Sequence, residues 1–300
     1  MRTLRIGIVS RNARLVSTHR LILAAKRRGH MVRLIDPMET YFQISGSILS
    51  QGQPLPRIDG IIPRIGVQSA GYVLSLIRQM ETRGILCLNT ATSMATARNK
   101  LHTLQCLAHA NISIPRTAYG SFTVPSATLL ASVGGAPVII KTLDGSQGVG
   151  VMLAQTTSQA ESIMDVLKQS HIEFILQEYV AESKGQDVRC FVIGDRVVAA
   201  MRRQGNDGEF RSNLHRGGTA SSHELSEHDK DLAIRAAKTV GLSVAGVDMI
   251  PSETGMKIIE VNCSPGLEGI ENTLNIDIAI QIIDHLVDKI TAFSPATGKR

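Results

Sequence analysis

The fold of this chain is decided by residues 247–262, Val247-Asp248-Met249-Ile250-Pro251-Ser252-Glu253-Thr254-Gly255-Met256-Lys257-Ile258-Ile259-Glu260-Val261-Asn262. Two apolar segments flank the turn-like residues 251–255, and this pattern predicts a β-hairpin. Side chains alternate between the faces of a strand, so Glu260 and Asn262 share one face, and strand pairing can bring Asp248 beside them. The hairpin therefore carries a cluster of three oxygen-bearing side chains.

This cluster is typical of a metal site. Two carboxylates placed together are costly unless a positive charge lies between them. Hard oxygen ligands suit Mg²⁺, which keeps several waters and takes further ligands from substrate phosphates. The alternative is a solvated hairpin whose acids face water, but apolar residues surround all three polar ones and favour a buried sheet. We predict that Asp248, Glu260 and Asn262 bind a metal ion in a site for nucleotide chemistry.

The composition is that of a globular protein. The 300 residues are 43% hydrophobic, which is enough for one large domain or two to three modest ones. No apolar run approaches the ~18 residues needed to cross a bilayer, and the start of the sequence, residues 1–10, is too short for the core of a signal peptide. The four scattered cysteines form no Cys-x-x-Cys pair, which argues against a disulfide framework or a structural zinc site. We expect a cytoplasmic protein without a membrane partner.

The charge balance predicts an acidic partner. The formal net charge is +6 and the isoelectric point is about 9.3, which ATP, an acidic peptide or RNA would each match. Aromatic residues are only 3%, there is no tryptophan, and no basic run of five residues occurs. Direct nucleic-acid binding is therefore not expected, because stacking platforms and basic tracts are missing.

Short β-type runs alternate with helical patterns over the first hundred residues, which is typical of a parallel α/β domain. A second α/β region begins beyond Pro115, and a third, which contains the acidic hairpin, follows Tyr179. The predicted strands lie at 5–10, 31–35, 60–63, 86–88, 137–141, 150–154, 174–179, 187–193 and 196–202. The predicted helices lie at 16–28, 70–83, 92–109, 158–168, 227–240 and 276–290.

A glycine-rich segment follows one predicted strand, Lys141-Thr142-Leu143-Asp144-Gly145-Ser146-Gln147-Gly148-Val149-Gly150. Backbone amides without neighbouring side chains can approach phosphate oxygens, so Lys141, Gly145 and Gly148 are candidate phosphate contacts. A glycine-rich hairpin with a solvent-facing lysine is the alternative. The Gly-x4-Gly-Lys-Ser/Thr motif of the P-loop and the Gly-x-Gly-x-x-Gly motif of dinucleotide-binding proteins are both absent.

Polar residues also end the strand at 174–179. Its free backbone groups can bind an adenine edge at Gln177, Glu178, Tyr179 and Val180, and the carboxylate of Asp187 can accept hydrogen bonds from ribose hydroxyls. Ordinary charged strand ends at the surface are the alternative interpretation.

The loop Glu209-Phe210-Arg211-Ser212-Asn213-Leu214-His215-Arg216-Gly217-Gly218 concentrates cationic side chains. Arginine forks suit carboxylates and phosphoryl oxygens, and cations around a transferring phosphoryl group stabilise its transition state. A solvated basic loop is the alternative. His215 is either a general base or a plain hydrogen-bonding residue, and the sequence does not separate these roles.

Taken in chain order, these segments resemble the ATP-grasp superfamily of carboxylate-amine ligases. The resemblance is closer to the RimK family of α-L-glutamate ligases, and it extends over essentially the whole chain. It is carried by Ile62-Pro63-Arg64-Ile65-Gly66, Val133-Gly134-Gly135-Ala136-Pro137, Gln177-Glu178-Tyr179, residues 210–218, and Asn262-Cys263-Ser264-Pro265-Gly266-Leu267-Glu268-Gly269-Ile270-Glu271. One departure is Cys263, where family members have alanine, a change of one small residue for another.

The resemblance implies an α/β fold, with α+β character in the ATP-grasp part. A Rossmann-like pre-ATP-grasp domain (residues 1–97) would precede a central subdomain (98–178) and a C-terminal subdomain (179–300), and the two subdomains would clasp ATP. It also implies a homo-oligomer, by family tendency a tetramer.

The resemblance also implies roles for the site residues. ATP would be bound by Lys100, Lys141, Gly145, Gly148, Gln177, Glu178, Tyr179, Val180, Asp187, Arg211, Ser212 and Asn213. Two Mg²⁺ or Mn²⁺ ions would be held by Asp248, Glu260 and Asn262. The catalytic residues would be Arg211, Lys141 and Asn213. The acidic substrates would be bound by Arg64, Arg189, Arg203, His215 and Arg216.

The activity implied is ATP-dependent addition of L-glutamate, through an acyl phosphate, to the C-terminal carboxylate of a small-subunit ribosomal protein, with synthesis of short poly-α-glutamate. Three alternatives are a ligase for a small-molecule or dipeptide acceptor, a catalytically silent ATP-binding regulator, and an RNA-binding ribosome-associated factor. The intact acidic set and both lysines argue against the regulator, and the scarcity of aromatic residues argues against the RNA-binding factor.

Overall fold

A computed structural model of the protein describes residues 2–66, 70–145, 149–206, 209–212 and 217–293. The predicted strands and helices are confirmed to within a few residues at their ends, with one exception described below. Within the described ranges, no helix is long and apolar enough to cross a membrane.

The N-terminal domain contains a parallel sheet. Its strands are β1 (Arg5–Val9), β2 (Met31–Ile35), β3 (Thr40–Phe42), β4 (Ile48–Ser50), β5 (Gln53–Pro54), β6 (Gly60–Pro63) and β7 (Leu86–Cys87), and its helices are α1 (Val16–Arg27) and α2 (Ala70–Thr82). The sheet is parallel, as the alternating pattern predicted, and its strand order is β2-β1-β6-β7. Strands β3, β4 and β5 form a small antiparallel sheet that the sequence did not predict.

Close packing in the parallel sheet explains why position 7 is a glycine. A Cβ atom at Gly7 in β1 would come within 2.8 Å of the Ile35 side chain and 2.9 Å of the Ile61 side chain. Any larger residue there would push the strand away from its core, which is buried on both faces as in other parallel sheets.

Two short helices follow where the sequence predicted one. They are α3 (Ala91–Arg98) and α4 (Lys100–His109), and Asn99 between them has an extended backbone. The side-chain oxygen of Asn99 accepts a hydrogen bond of 2.9 Å from the amide of His102, which caps α4. The prediction of a continuous helix over 92–109 was wrong because an N-cap residue in the middle of the segment starts a new helix. Lys100 consequently stands at the first position of α4.

The central subdomain is an antiparallel sheet covered by two helices. Its elements are β8 (Thr117–Ala118), α5 (Ser126–Ser132), β9 (Val138–Thr142), β10 (Val151–Ala154), α6 (Thr157–Gln169) and β11 (Phe174–Glu178). The strand order is β10-β9-β11-β8. Its core, which includes Leu130, Val138, Ile140, Met164 and Leu176, is a cluster of its own.

The C-terminal subdomain is built on a five-stranded antiparallel sheet. Its elements are β12 (Gln186–Ile193), β13 (Arg196–Gln204), β14 (Thr219–Ser222), α7 (Glu227–Thr239), β15 (Val244–Ser252), β16 (Gly255–Asn262), α8 (Glu268–Leu274) and α9 (Ile278–Phe293). The strand order is β14-β13-β12-β15-β16. The predicted hairpin is confirmed as β15 and β16, and its turn is tighter than expected because Ser252 already pairs with Gly255.

The N-terminal domain and the C-terminal subdomain share their cores. One buried cluster joins Ile61 and Leu76 to Val247 and Val261. A second cluster joins residues of β1 and α1 to residues of α9. The predicted domain ranges 1–97, 98–178 and 179–300 each enclose complete sheets, and their boundaries stay predictions.

Candidate active site

A row of charged side chains crosses four strands of the C-terminal sheet. Arg203 on β13 lies opposite Asp187 on β12. Two residues further along β12, Arg189 lies opposite Asp248 on β15, and Asp248 in turn lies opposite Glu260 on β16. Directly opposed side chains share a sheet face, so the folding pattern itself assembles a row of two arginines and three acids.

The buried part of this row is held by ion pairs. Both oxygens of Asp248 accept from the Arg189 guanidinium, at 2.7 and 2.6 Å, and Arg203 lies 3.1 Å from the same carboxylate. Arg203 also donates to Asp187, at 2.6 Å. Burial alone would raise the pKa of Asp248, but the two guanidinium groups outweigh it and lower that pKa. Buried charges persist only with such partners.

Glu260 ends the row in a different environment. Its side chain is solvent-exposed, although protein atoms surround it closely, as expected for a carboxylate in a cleft. Among the described residues it has no hydrogen-bond or ion-pair partner within 4.0 Å. Burial and the neighbouring charge of Asp248 raise its pKa, against the attraction of Arg189, Lys141 and Lys100. A carboxylate in this position favours a bound cation.

The predicted metal ligands fit Mg²⁺. Asp248 and Glu260 are paired across the hairpin, and Asn262 lies two residues beyond Glu260. The amide nitrogen of Asn262 is buried and lacks a partner in the described part of the chain; because it is a donor, it would pair with a phosphate oxygen or a water, while the amide oxygen is the atom that could bind a cation. No group of three or more His, Cys, Asp and Glu side chains that could hold a metal occurs among the described residues. A cation here would complete its shell with water and phosphate oxygens, as Mg²⁺ does.

Two lysines lie on the opposite side of the cleft. Lys141 on β9 donates a 2.6 Å hydrogen bond to the side-chain oxygen of Gln177 on β11. Burial lowers the pKa of Lys141 to about 8, with Glu260 acting against this shift and Lys100 adding to it. The Lys100 ammonium donates to the carbonyl oxygens of Thr142 and Leu143, at 3.1 and 2.9 Å, and of Gly145, at 2.8 Å.

The start of the glycine-rich segment depends on glycine. Gly145 has φ +139°, and a Cβ atom there would lie 2.6 Å from the carbonyl oxygen of Val149. Only glycine fits this conformation. Gly148, another predicted phosphate contact, lies outside the described residues.

The predicted adenine segment lies where β11 leaves the central subdomain. Glu178 accepts from Arg116, at 2.6 Å, and from Lys257 on β16, so it ties the two subdomains together. Burial acts against ionisation, but these hydrogen bonds lower the pKa of Glu178 to about 2. The Gln177 and Val180 side chains are buried, and Tyr179 follows the end of the strand. Binding of adenine by residues 177–180 stays a prediction.

The cationic loop also contacts both subdomains. The Arg211 side chain donates to Glu209, at 2.9 Å, and to the carbonyl oxygen of Val151 on β10, at 3.4 Å. Ser212 hydrogen-bonds to Asp187, next to the charged row. Asn213, His215 and Arg216 lie outside the described residues, so their predicted roles stay predictions.

Arg64 lies at the end of β6, in the N-terminal domain. Its guanidinium donates a 2.9 Å hydrogen bond to the carbonyl oxygen of Pro265, in the loop that follows Asn262. Burial lowers its pKa to about 10. In the same loop Cys263 is a buried free thiol whose pKa is raised by burial, which supports a packing role.

Sequence reasoning missed Asn89, which holds the start of β15 and the loop after β16 from the N-terminal domain. Its side-chain nitrogen donates to the carbonyl oxygens of Val244, at 2.7 Å, and Cys263, at 3.0 Å. Its side-chain oxygen accepts from the amides of Ser243 and Val244. The only available signal was an asparagine directly after a short apolar strand, which is typical of turns as well.

Comparison with known proteins agrees with this geometry. The family model described as the RimK-like ATP-grasp domain matches residues 97–286, and the RimK PreATP-grasp domain matches residues 4–94. A protein of Shewanella frigidimarina named "Probable alpha-L-glutamate ligase 1" is 46% identical over 295 residues, which is 97% of this chain and 98% of that protein. An Alkalilimnicola ehrlichii protein named "Probable alpha-L-glutamate ligase" is 47% identical over 277 residues, or 91% and 92% of the two chains.

Solved structures show the same fold. The ATP-grasp ligase PsnB complexed with its minimal precursor has a TM-score of 0.76 at 22% identity and covers 96% of this chain and 100% of its own. A RimK domain ATP-grasp protein from Sphaerobacter thermophilus has a TM-score of 0.71 at 19% identity, with 94% and 99% covered. At this level of identity the likeness concerns the fold alone.

Proposed function

The chain belongs to the RimK family of ATP-grasp ligases, and from this premise we propose that it uses ATP to join L-glutamate to the C-terminal carboxylate of an acceptor peptide. The family, the fold class and the enzyme class predicted from the sequence are confirmed. The names of the relatives support glutamate as the added amino acid. The acceptor we propose is a small-subunit ribosomal protein, with short poly-α-glutamate as a further product.

One observation carries the proposal. Glu260, an exposed carboxylate without a partner among the described residues, lies near two half-buried ammonium groups, those of Lys141 on the central subdomain and of Lys100 on α4. This arrangement suits a magnesium–triphosphate complex, because the cation binds on the acidic side and the phosphate oxygens lie against the lysines.

The chemistry needs such a site because a carboxylate does not react with an amine at neutral pH. In the first step an oxygen of the acceptor carboxylate attacks the γ-phosphorus of ATP, the bond to the β-phosphate oxygen breaks, and ADP leaves. In the second step the neutral α-amine of glutamate attacks the acyl carbon, inorganic phosphate leaves, and an amide forms. No protein nucleophile is needed.

The residues of this chain position and stabilise these groups. Lys100 and Lys141 would hold phosphate oxygens, and Arg211 with Asn213 would stabilise the transferring phosphoryl group. Asp248, Glu260 and Asn262 would hold the two Mg²⁺ or Mn²⁺ ions, which neutralise phosphate charge when bound.

The nucleotide would bind where the central and C-terminal subdomains meet. Gln177, Glu178, Tyr179 and Val180 would contact adenine, and Asp187 would contact ribose. Gly145 and Gly148 belong to a loop that would close over the phosphates and exclude water from the acyl phosphate.

The proposed substrate-binding arginines differ in how they are engaged. Arg189 and Arg203 lie beside Asp248, and their ion pairs with acids hold that carboxylate in position. Arg64 has no acidic partner within 4.0 Å among the described residues and is therefore available to a substrate carboxylate. His215 and Arg216 belong to the same proposed set. A cytoplasmic location and a homotetramer are part of the proposal.

The test is an assay of ADP release with L-glutamate and candidate C-terminal peptides, followed by intact-mass measurement of the peptide. We expect ADP release that needs both substrates, and mass increments of one glutamyl residue. L-glutamine in place of L-glutamate and a peptide with an amidated C-terminus are the matched controls. Release of ADP without any increment on peptides, but with product formation on a dipeptide or small acid, would establish the small-acceptor ligase instead.

A further inference from the structure

A second cationic site lies at the crevice of the N-terminal sheet. In the order β2-β1-β6-β7, β1 connects through α1 to one side of the sheet and β6 connects through α2 to the other. The carboxyl ends of β1 and β6 therefore form a topological switch point, which is where open α/β sheets bind ligands. Arg11 follows the end of β1 by two residues, and Arg64 follows β6 directly.

These two arginines line one cavity. Its volume is about 210 Å³, and its other walls include the apolar side chains of Pro37, Met38 and Val73. Sites for drug-sized ligands are larger, at roughly 300–1,000 Å³. The cavity therefore suits a group of side-chain size that combines an anion with a short apolar stem.

The positive charge in this cavity is not balanced by the described part of the protein. No carboxylate oxygen of the described residues lies within 4.0 Å of the Arg11 or Arg64 guanidinium. The only hydrogen bond that the Arg64 side chain makes there goes to the carbonyl oxygen of Pro265. A partly buried cation without an acid is costly, and an anionic ligand would offset that cost.

The cavity also lies against the site of the proposed reaction. Pro265, which accepts from Arg64, is three residues beyond the proposed metal ligand Asn262. The amide of Leu267, in the same loop, donates a 3.0 Å hydrogen bond to the Ser17 hydroxyl in α1. The loop that follows the β15–β16 hairpin is thus hydrogen-bonded to Arg64 after β6 and to Ser17 in α1, on the two sides of the N-terminal crevice.

We propose that Arg11 and Arg64 form a subsite for a substrate carboxylate other than the one that is phosphorylated. This inference rests on the proposed function, since it assigns the cavity to an acidic substrate of the same reaction. That carboxylate is supplied by an acidic side chain of the acceptor or by the incoming glutamate. Met38 also lines a neighbouring cavity of about 380 Å³ together with Glu39, Tyr41 and Tyr72.

The test compares Arg11→Ala with Arg14→Ala. Both residues are exposed and lie in the β1–α1 loop, but only Arg11 lines the cavity, so the pair is matched in charge. Arg11 is preferred to Arg64 because Arg64 also holds the Pro265 loop. In Arg11→Ala we expect the KM of one acidic substrate to rise by about 10- to 100-fold, the range for a lost charge-assisted hydrogen bond. The KM of ATP and kcat should stay within about twofold.

The arms of the assay identify the source of the carboxylate. A rise in the acceptor KM assigns the subsite to the acceptor, and a rise in the glutamate KM assigns it to glutamate. Arg11→Lys should restore part of the effect, and Arg14→Ala should show none. Unchanged KM values for both substrates in Arg11→Ala, or equal changes in the two alanine variants, would overturn the proposal.

A binding experiment separates this inference from the proposed function. Calorimetric titration of wild type, Arg11→Ala and Arg14→Ala with L-glutamate, glutarate and an acidic peptide needs no turnover. If wild type shows no ligase activity but Arg11→Ala alone loses affinity for one of these probes, the proposed function fails and the subsite stands. If the activity is found but all three proteins bind every probe equally, the subsite fails and the function stands.

Discussion

The central subdomain and the C-terminal sheet border the same cleft, but they are held in the molecule in different ways. The C-terminal subdomain shares two buried clusters with the N-terminal domain, and Asn89 adds four hydrogen bonds between them. The central subdomain has a small core of its own. Elements that share large buried cores open together, whereas a unit with a separate core can move independently.

The charged side chains of the candidate site are divided between the same two units. The acids Asp248 and Glu260 lie on the sheet whose core is shared, and Lys141 lies on the unit whose core is separate. Polar contacts join the two, including Glu178 with Lys257 and Arg211 with the carbonyl of Val151. In the proposed function, such an arrangement would keep the proposed metal ligands fixed while Lys141, a proposed phosphate contact, approaches or withdraws.

The largest effect is expected at the fixed acids. Glu260→Gln removes the charge of an exposed carboxylate that has no cationic partner among the described residues. We therefore expect kcat to fall by more than about 100-fold, with little change in thermal stability. Steady-state ADP release and thermal unfolding measure the two quantities. Glu253→Gln, in the turn of the same hairpin, is the matched control. Activity of Glu260→Gln within about tenfold of wild type would contradict the assignment.

The next effect concerns the shared core. Asn89→Ala would leave the amides of Ser243 and Val244 without their side-chain acceptor, in a buried position between the two units. We expect the free energy of unfolding in urea to fall by about 2–4 kcal/mol. The exposed Asn12→Ala should cost less than about 0.5 kcal/mol. Equal stability of the two variants would show that Asn89 does not join the units.

The same division marks what the sequence could predict. The hairpin follows from local alternation and a short turn. The opposition of Asp248 and Glu260 does not, because the register set by the Ser252–Gly255 pair would place Ile259 opposite Asp248, and a β-bulge after Asp248 shifts the pairing by one residue. The pairing of Arg189 with Asp248 joins residues 59 positions apart, because β13, β14 and α7 intervene between β12 and β15. No pattern in either strand specifies that neighbour.

Other elements were missed because tertiary contacts create them. Helix α8 contains poor helix formers such as Gly269 and Thr273, yet it places Glu271 where its carboxylate caps α9, accepting from the amides of Ile278 and Ala279. The break at Asn99 is the opposite case, since its local cap signal was present and was outweighed by the apolar pattern. A prediction of where a helix begins and ends must therefore weigh capping residues as well as hydrophobic periodicity.

A smaller effect is expected at Lys141, on the unit whose core is separate. The pKa of Lys141 is lowered to about 8, so in the free protein this side chain loses its charge as the pH rises through 8. Phosphates favour the charged form, and ADP binding without metal should therefore weaken above pH 8, by up to about tenfold per pH unit. Calorimetric titration in EDTA between pH 7 and 9.5 measures this. Arg stays charged, so Lys141→Arg should bind ADP with a flatter pH profile; identical profiles would contradict the role of Lys141.

The smallest effect is expected at the contact between the two units. Glu178 is 13% exposed but Arg116 is 65% exposed, so solvent weakens the pair, and Glu178→Gln should cost about 1 kcal/mol at pH 7. The pKa of Glu178 is lowered from 4.5 to about 2, so its contribution is complete above pH 4.5 and is lost as the pH falls toward 2. The difference in unfolding free energy between wild type and Glu178→Gln should shrink over that window. Hydrogen exchange should locate the change in β11 and β16, while the amides of β12 and β15 keep their protection, because their core does not depend on the contact. A difference that is the same at every pH would mean that Glu178 acts through packing, and that the two units are held together by something other than this charge.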